Sequence, residues 1–294
     1  MVLRKTTSTV PRKFLFNGAV ALFVVATAGL AVQHMLTTSS EPPCAERYTT
    51  AMLFSWQRPG GEALSRTDLQ ARLGGSDWGL LDNVRFVRDG DAPAPVVLEV
   101  SLSKPAARGA SEESPGGMGF RWMPSQLEKA SAACLSYGVW LPTDLNFAAG
   151  GSLPGLYGGN RHGQPTSGSA AKGFATHLTW GEEARADVHV VTVDAPEGQS
   201  IGIDPTWFRL RTGRWVNIEQ EIVLNHPGVH DGILRVFIDG VLKLERRRLA
   251  FRDEAGQGFK GVIADVHYGK AGQVVTVAGK DTIVRLSPFE LRWR

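Results

Sequence analysis

The sequence predicts an all-β protein, a two-sheet jelly-roll sandwich, on three observations. Ten or more short segments alternate apolar and polar residues with the period of two that a strand imposes. Turn-forming Pro-Gly and Asp-Gly steps separate many of them, and 34 glycines supply the backbone freedom such connections need. No run with a helical period dominates the 294 residues, a length that suits one large all-β domain with an N-terminal appendage.

Taken in order, residues 1–13 are a basic segment with Arg4, Lys5, Arg12 and Lys13, expected in the cytoplasm. Residues 14–36 read as a transmembrane anchor or signal peptide. Phe14 to Val32 is a nearly unbroken apolar run interrupted by Asn17, with Thr27 as its one other polar residue, and a bilayer core takes about 20 apolar residues. Ala26-Thr27-Ala28 before Gly29 is an acceptable cleavage site, but the apolar run continues past it, which favours a retained single-pass anchor. The remainder is then expected outside the cytoplasm, on the cell membrane or secreted if the segment is cleaved. Residues 37–46 read as a polar linker and 47–294 as the folded domain. Cys44 lacks the upstream pattern of a lipoprotein cysteine. In an oxidising compartment it could pair with Cys134, the alternative being two thiols.

Within the domain, Arg66 to Leu73 is the amphipathic helix, and Trp78 to Val87 begins the region of strands. Val96 to Ser103 alternates as a sheet strand, and the breaker-rich stretch from Lys104 to Gly119 reads as a surface loop. Further strands are expected at Phe120–Met123, Ala133–Leu141, Gly173–Trp180, Ala186–Asp194, Trp207–Arg211, Trp215–Leu224, Gly232–Ile238, Val241–Phe251, Gly261–Tyr268 and Thr282–Trp293. In Trp215–Leu224, Val216, Ile218, Gln220, Ile222 and Leu224 share the core-facing side. Trp215, Asn217, Glu219, Glu221 and Val223 share the side expected to meet solvent or ligand.

A net charge of +3 with scattered basic residues does not imply a nucleic-acid partner. The Glu245-Arg246-Arg247-Arg248 cluster reads as a solvated strand end, with contact to an anionic glycan as the other reading. No motif has metal-ligand spacing, so no metal is expected.

Three segments narrow the function. They are Gly151-Ser152-Leu153-Pro154-Gly155-Leu156-Tyr157-Gly158-Gly159, Gly173-Phe174-Ala175-Thr176-His177-Leu178-Thr179-Trp180, and the run from Leu224 to Gly240 with its Asn-x-Pro-Gly and Asp-Gly turns. Their order and spacing, from about Ser131 to the C-terminus, resemble the alginate lyases of polysaccharide lyase family 14. The resemblance implies a concanavalin A-like jelly roll, an acidic, uronate-containing polysaccharide as partner, cleavage by β-elimination and no cofactor.

That reaction needs a group to neutralise the uronate carboxylate, a base for the adjacent carbon acid, and an acid for the leaving oxygen. The family motif carries Lys before Leu-Pro-Gly-Leu, a Ser-x-Arg pair on the Gly-Phe strand, and two Tyr on the next strand. Here those positions read Ser152, Ala175 and His177, and the strand Asp187-Val188-His189-Val190-Val191-Thr192-Val193. Most of the usual catalytic set is therefore substituted.

His177 and His189, on successive strands, are the candidate acid and base, since imidazole titrates near neutrality. Tyr157 is a third catalytic candidate, with packing at a glycine-rich turn as its bland role. Gln220, Arg209, Arg211 and Ser152 are the substrate-binding candidates. Asn225 and Asp231 are expected to stabilise their turn through side-chain to backbone hydrogen bonds. Besides a lyase, the sequence allows a catalytically inactive carbohydrate-binding protein on the same scaffold, a purely structural sandwich, or a glycoside hydrolase using Glu219 and Glu221.

Overall fold

The structure, a computed structural model, describes residues 41–74, 77–102, 116–159, 173–194, 200–201, 208–269 and 281–294. The expected anchor or signal segment and most of the loop after Lys104 lie outside the described residues. No helix among the described residues is long and apolar enough to cross a membrane.

In chain order the strands are β1 (Thr50–Phe54), β2 (Asp77–Trp78), β3 (Val84–Arg88), β4 (Val96–Leu102), β5 (Gly119–Trp122) and β6 (Ala132–Trp140). Then come β7 (Gly151–Leu153), β8 (Gly155–Gly159), β9 (Gly173–Trp180), β10 (Ala186–Val191), β11 (Ser200–Ile201) and β12 (Trp215–Val223). The last are β13 (Gly232–Ile238), β14 (Val241–Leu249), β15 (Phe259–Ile263), β16 (His267–Tyr268), β17 (Thr282–Leu286) and β18 (Phe289–Trp293). Among the described residues, three short helices, α1 (Cys44–Arg47), α2 (Arg66–Leu73) and α3 (Leu80–Asn83), accompany the strands together with 3-10 turns.

Among the described residues the strands form an all-β sandwich of two nine-stranded antiparallel sheets. The first runs β14-β13-β12-β6-β17-β4-β3, with β18 on β6 and β1 on β18. The second runs β11-β10-β9-β8-β15-β5-β2, with β7 on β9 and β16 on β7. One continuous core fills the space between them, joining Leu135, Ile218 and Phe289 of the first sheet to Phe120, Leu156, Phe174 and Trp180 of the second. Alternation along each strand thus fixes which residues face inward.

Local chemistry explains the elements. Ser65 caps α2 in a capping box with Asp68, and Gly74 ends it in the left-handed conformation. Asp239 and Gly240 both take positive φ, as a tight hairpin between β13 and β14 requires. Asn225, wholly buried, donates to the His226, Val229 and Arg252 carbonyls and accepts from the Phe251 and Arg252 amides. Asp231 accepts from the His226 amide.

Several expectations are corrected. Trp78 to Val87 contains α3 between two strands. Gly261–Tyr268 is interrupted between Ile263 and His267, and Thr282–Trp293 at Ser287-Pro288. Of Trp207–Arg211 only an isolated bridge at Arg209 remains among the described residues.

On the outward face of β12, Asn217 stays exposed, but Glu219 and Glu221 are neither solvated nor open to ligand. Cys44 begins α1, forms a disulfide with Cys134 on β6, and donates its amide to Glu219 at 2.9 Å. Arg47 grips Glu221 through two hydrogen bonds of 2.7 Å, and Tyr48 and Arg235 also bond that carboxylate. The stretch expected as a linker is therefore, from Cys44 onward, a strap sealed onto the first sheet.

Candidate functional site

The outward face of the second sheet collects the polar residues that the core does not use. On β9, Phe174, Leu178 and Trp180 enter the core, so Ala175, His177 and Thr179 face out. His189 on β10 is the direct partner of His177, and Ser152 on β7 is that of Thr179. On β8, Leu156 goes inward and Tyr157 outward, where it packs with Ala175 and Ile263. Arg121 on β5 pairs with Ile263, and its guanidinium lies 5.9 Å from the Tyr157 ring. His267 on β16 pairs with Ser152.

Buried polar atoms are normally paired. Eight buried side-chain polar atoms among the described residues have no partner, and four are on this face: Arg121 Nε, Ser152 Oγ, Tyr157 Oη and His177 Nδ1. The fold thus leaves hydrogen-bonding capacity unused on this face.

The electrostatics of the face follow from burial. Desolvation, aided by the charges of His189, His267 and Arg121, lowers the His177 pKa to about 3, although its ring hydrogen-bonds the Leu153 backbone. With that bond engaging one nitrogen, neutral His177 presents Nδ1 as an unused acceptor. Burial pushes the Tyr157 phenol up to about 12, against the pull of Arg121, so it is protonated. Burial also raises the Asp265 carboxyl, opposed by His267, Arg121 and a hydrogen bond from Trp78.

Of the sequence candidates, Ser152, Tyr157, His177 and His189 come together here. Gln220 does not: it is wholly buried between the sheets and donates its amide to the Pro154 carbonyl at 2.6 Å. Its place on the inward side of β12 was readable from alternation, and that placement removes it from any surface site. Arg209 and Arg211 lie elsewhere, lining a cavity of about 300 Å³ with Phe208, Val216, Ile238 and Lys243, and Arg209 pairs with Glu183 at 2.6 Å. Glu219 and Glu221, at 6% and 0% exposure beneath the strap, cannot flank a glycosidic bond. Sequence reasoning missed Arg121, Asp265 and His267, although alternation along Phe120–Met123 would have placed Arg121 outward.

The sequence matches the family model Polysaccharide lyase 14 over residues 92–276, more than half its length. The chain belongs to the polysaccharide lyase 14 family. The matched range contains every residue of the outward face described above. No curated protein matches the sequence significantly. Among solved structures, the alginate lyase of Aplysia kurodai aligns at 19% identity with a TM-score of 0.63, covering 84% of this chain and 99% of its own. An alginate lyase from Chlorella virus aligns at 18% identity and a TM-score of 0.62, covering 78% and 97%. An endo-β-1,4-glucuronan lyase from Trichoderma reesei aligns at 12% identity and a TM-score of 0.50, covering 72% and 87%. At these identities the likeness establishes the shared sandwich.

Proposed function

We propose that this polysaccharide lyase 14 protein cleaves a uronate-containing, alginate-type polysaccharide by β-elimination on the outward face of the second sheet. The observation that carries the proposal is the set of four unpaired polar atoms on that face, from Arg121, Ser152, Tyr157 and His177.

Each requirement of the reaction has a residue with suitable chemistry. Arg121 neutralises the uronate carboxylate. His177 Nδ1 takes the proton from the carbon bearing that carboxylate. The released electron pair forms the ring double bond and the glycosidic carbon–oxygen bond breaks. The leaving oxygen takes the proton of Tyr157. A carboxylate seated on this face reverses the local field and stabilises the imidazolium that proton abstraction creates, so the low proton affinity of empty His177 rises when substrate binds.

Ser152 favours a second reading. By the resemblance of its motif it occupies the position of the family's lysine, and a serine there supports a face that retains the polymer without cutting it. One experiment separates the two: incubate the purified protein with alginate and other polyuronates, following both ultraviolet absorbance from unsaturated sugar and retention of polymer. Absorbance that disappears in His177→Ala and Tyr157→Phe establishes the lyase. Retention without absorbance establishes the binding protein, and neither signal sinks both.

For location, we infer an extracytoplasmic domain held by its N-terminal segment. The basic and then apolar character of residues 1–36 supports it, as does the Cys44–Cys134 disulfide, a bond that persists in oxidising compartments. We also assign the sandwich to the concanavalin A-like type, supported by its two antiparallel sheets.

A further inference from the structure

Beyond β5, on the same outward face, Trp78 is 40% exposed on the short edge strand β2. Its position is built. Trp78 pairs with Gly119, and its indole donates a hydrogen bond to Asp265. A side chain at residue 119 would lie 2.6 Å from the indole Cε2 and would also collide with the Asp265 carboxylate, so glycine there makes the seat in which the ring lies. His267 closes one side. Its ring is 6.0 Å from the indole and inclined at 52°, and its Nδ1 is engaged with the Tyr268 carbonyl at 2.8 Å, which turns the other nitrogen away from the backbone.

An indole face and an inclined imidazole form a corner. One wall suits the apolar face of a pyranose ring, and the other suits its hydroxyl or carboxylate oxygens. Arg121 supplies a cation beside it, two residues along from Gly119 and therefore on the same side of β5. An exposed tryptophan whose polar edge is already bonded has its face left for a ligand.

We propose that Trp78 and His267, with Arg121 beside them, form a second sugar subsite that binds a neighbouring uronate residue of the polymer whose scissile bond lies at Tyr157 and His177. The inference rests on the function proposed above and extends it. In the sheet order β9-β8-β15-β5, Gly119 and His177 are three strand spacings apart, about 14 Å at about 4.8 Å per strand. Only an oligosaccharide reaches both, so the contribution of Trp78 depends on ligand length.

The test is calorimetric binding of alginate disaccharide and hexasaccharide to the purified full chain and to its Trp78→Ala and Trp78→Phe variants. The expected result is a roughly tenfold weaker hexasaccharide in Trp78→Ala with the disaccharide unchanged, the size of a lost ring contact. Trp78→Phe, which keeps a smaller ring and loses the indole bond to Asp265, is expected to bind the hexasaccharide about threefold more weakly with the disaccharide unchanged, an intermediate loss that carries the test if the alanine variant does not fold. Wild type that binds the hexasaccharide while both variants match it at both lengths overturns the subsite alone. Wild type that binds neither length overturns the parent function and the subsite with it.

Discussion

His177 and His189 are direct cross-strand partners in the antiparallel pair β9–β10, so two imidazoles share one face of the sheet. Their proximity opposes protonation of the buried member, adding to the larger effect of desolvation that takes His177 from 6.5 to about 3.

This depression makes stability depend on pH with a definite sign. Between pH 6.5 and about 3 the unfolded chain holds a proton on His177 that the native state does not. Unfolding therefore takes up a proton in that window, and stability falls as pH falls through it, by a few kcal/mol in total. Above pH 6.5 this residue contributes no slope. His177→Gln is expected to flatten the dependence of unfolding free energy on pH below 6.5, measured by urea denaturation. Equal slopes in variant and wild type would exclude a depressed imidazole.

Tyr157 separates function from stability. Its hydroxyl is buried without a partner, a state that costs about 1–3 kcal/mol. Tyr157→Phe removes that unsatisfied group and keeps the ring packed against Ala175 and Ile263. The variant is expected to be at least as stable as wild type, while turnover of polyuronate drops roughly 100-fold or more through loss of the acid. A less stable variant would mean that the hydroxyl has a structural partner.

The strap gives a third expectation. Glu221, with no solvent exposure, is subject to a burial effect that alone would raise its pKa, yet hydrogen bonds from Arg47, Tyr48 and Arg235 leave it lowered. Glu221→Ala removes the carboxylate that Arg47, Tyr48 and Arg235 share, although Glu245 still pairs with Arg235 at 2.6 Å, and is expected to cost about 3 kcal/mol in urea denaturation. Arg47→Met should cost less, since Arg235 and Tyr48 still satisfy the carboxylate. The Cys44→Ala, Cys134→Ala double variant, opening a link across 90 residues, is expected to lose on the order of 4 kcal/mol. If Glu221→Ala costs less than Arg47→Met, the carboxylate is not the centre of the network.

Much of this architecture was readable from alternation, because inward and outward residues are separated by the pleat itself. Gly173–Trp180 and Gly232–Ile238 were bounded as observed, and so was α2, whose Ser65 cap and Gly74 stop are local signals. The site was legible only in part. His177, His189, Ser152 and Tyr157 lie on strands close in sequence, so neighbour pairing brings them together. Arg121, Asp265, His267 and Trp78 meet through the long-range pairings of β5 with β15 and of β2 with β5, which no local pattern encodes. The outward face of β12 was misread for the same reason. Its Glu219 and Glu221 look like solvated carboxylates until a segment about 175 residues earlier folds over them.

The glycine-rich motif supplies the last expectation. Gly155 begins β8 where that strand passes against the backbone of Thr176 on β9. A Cβ there would lie 2.5 Å from the Thr176 carbonyl carbon and closer still to its oxygen. The two strands are tied at this point, because the Thr176 hydroxyl accepts from the Leu156 amide at 3.0 Å and donates to its carbonyl at 3.2 Å. Gly155→Ala must therefore push β8 away from β9, carrying Tyr157 with it, at a cost of about 3 kcal/mol or more. Gly60 has open space around its Cβ position, so Gly60→Ala should stay within about 0.5 kcal/mol of wild type. Urea denaturation of the two variants side by side checks the contrast. A mild Gly155→Ala would show that β8 can shift, and with it the geometry that holds Tyr157 over the site.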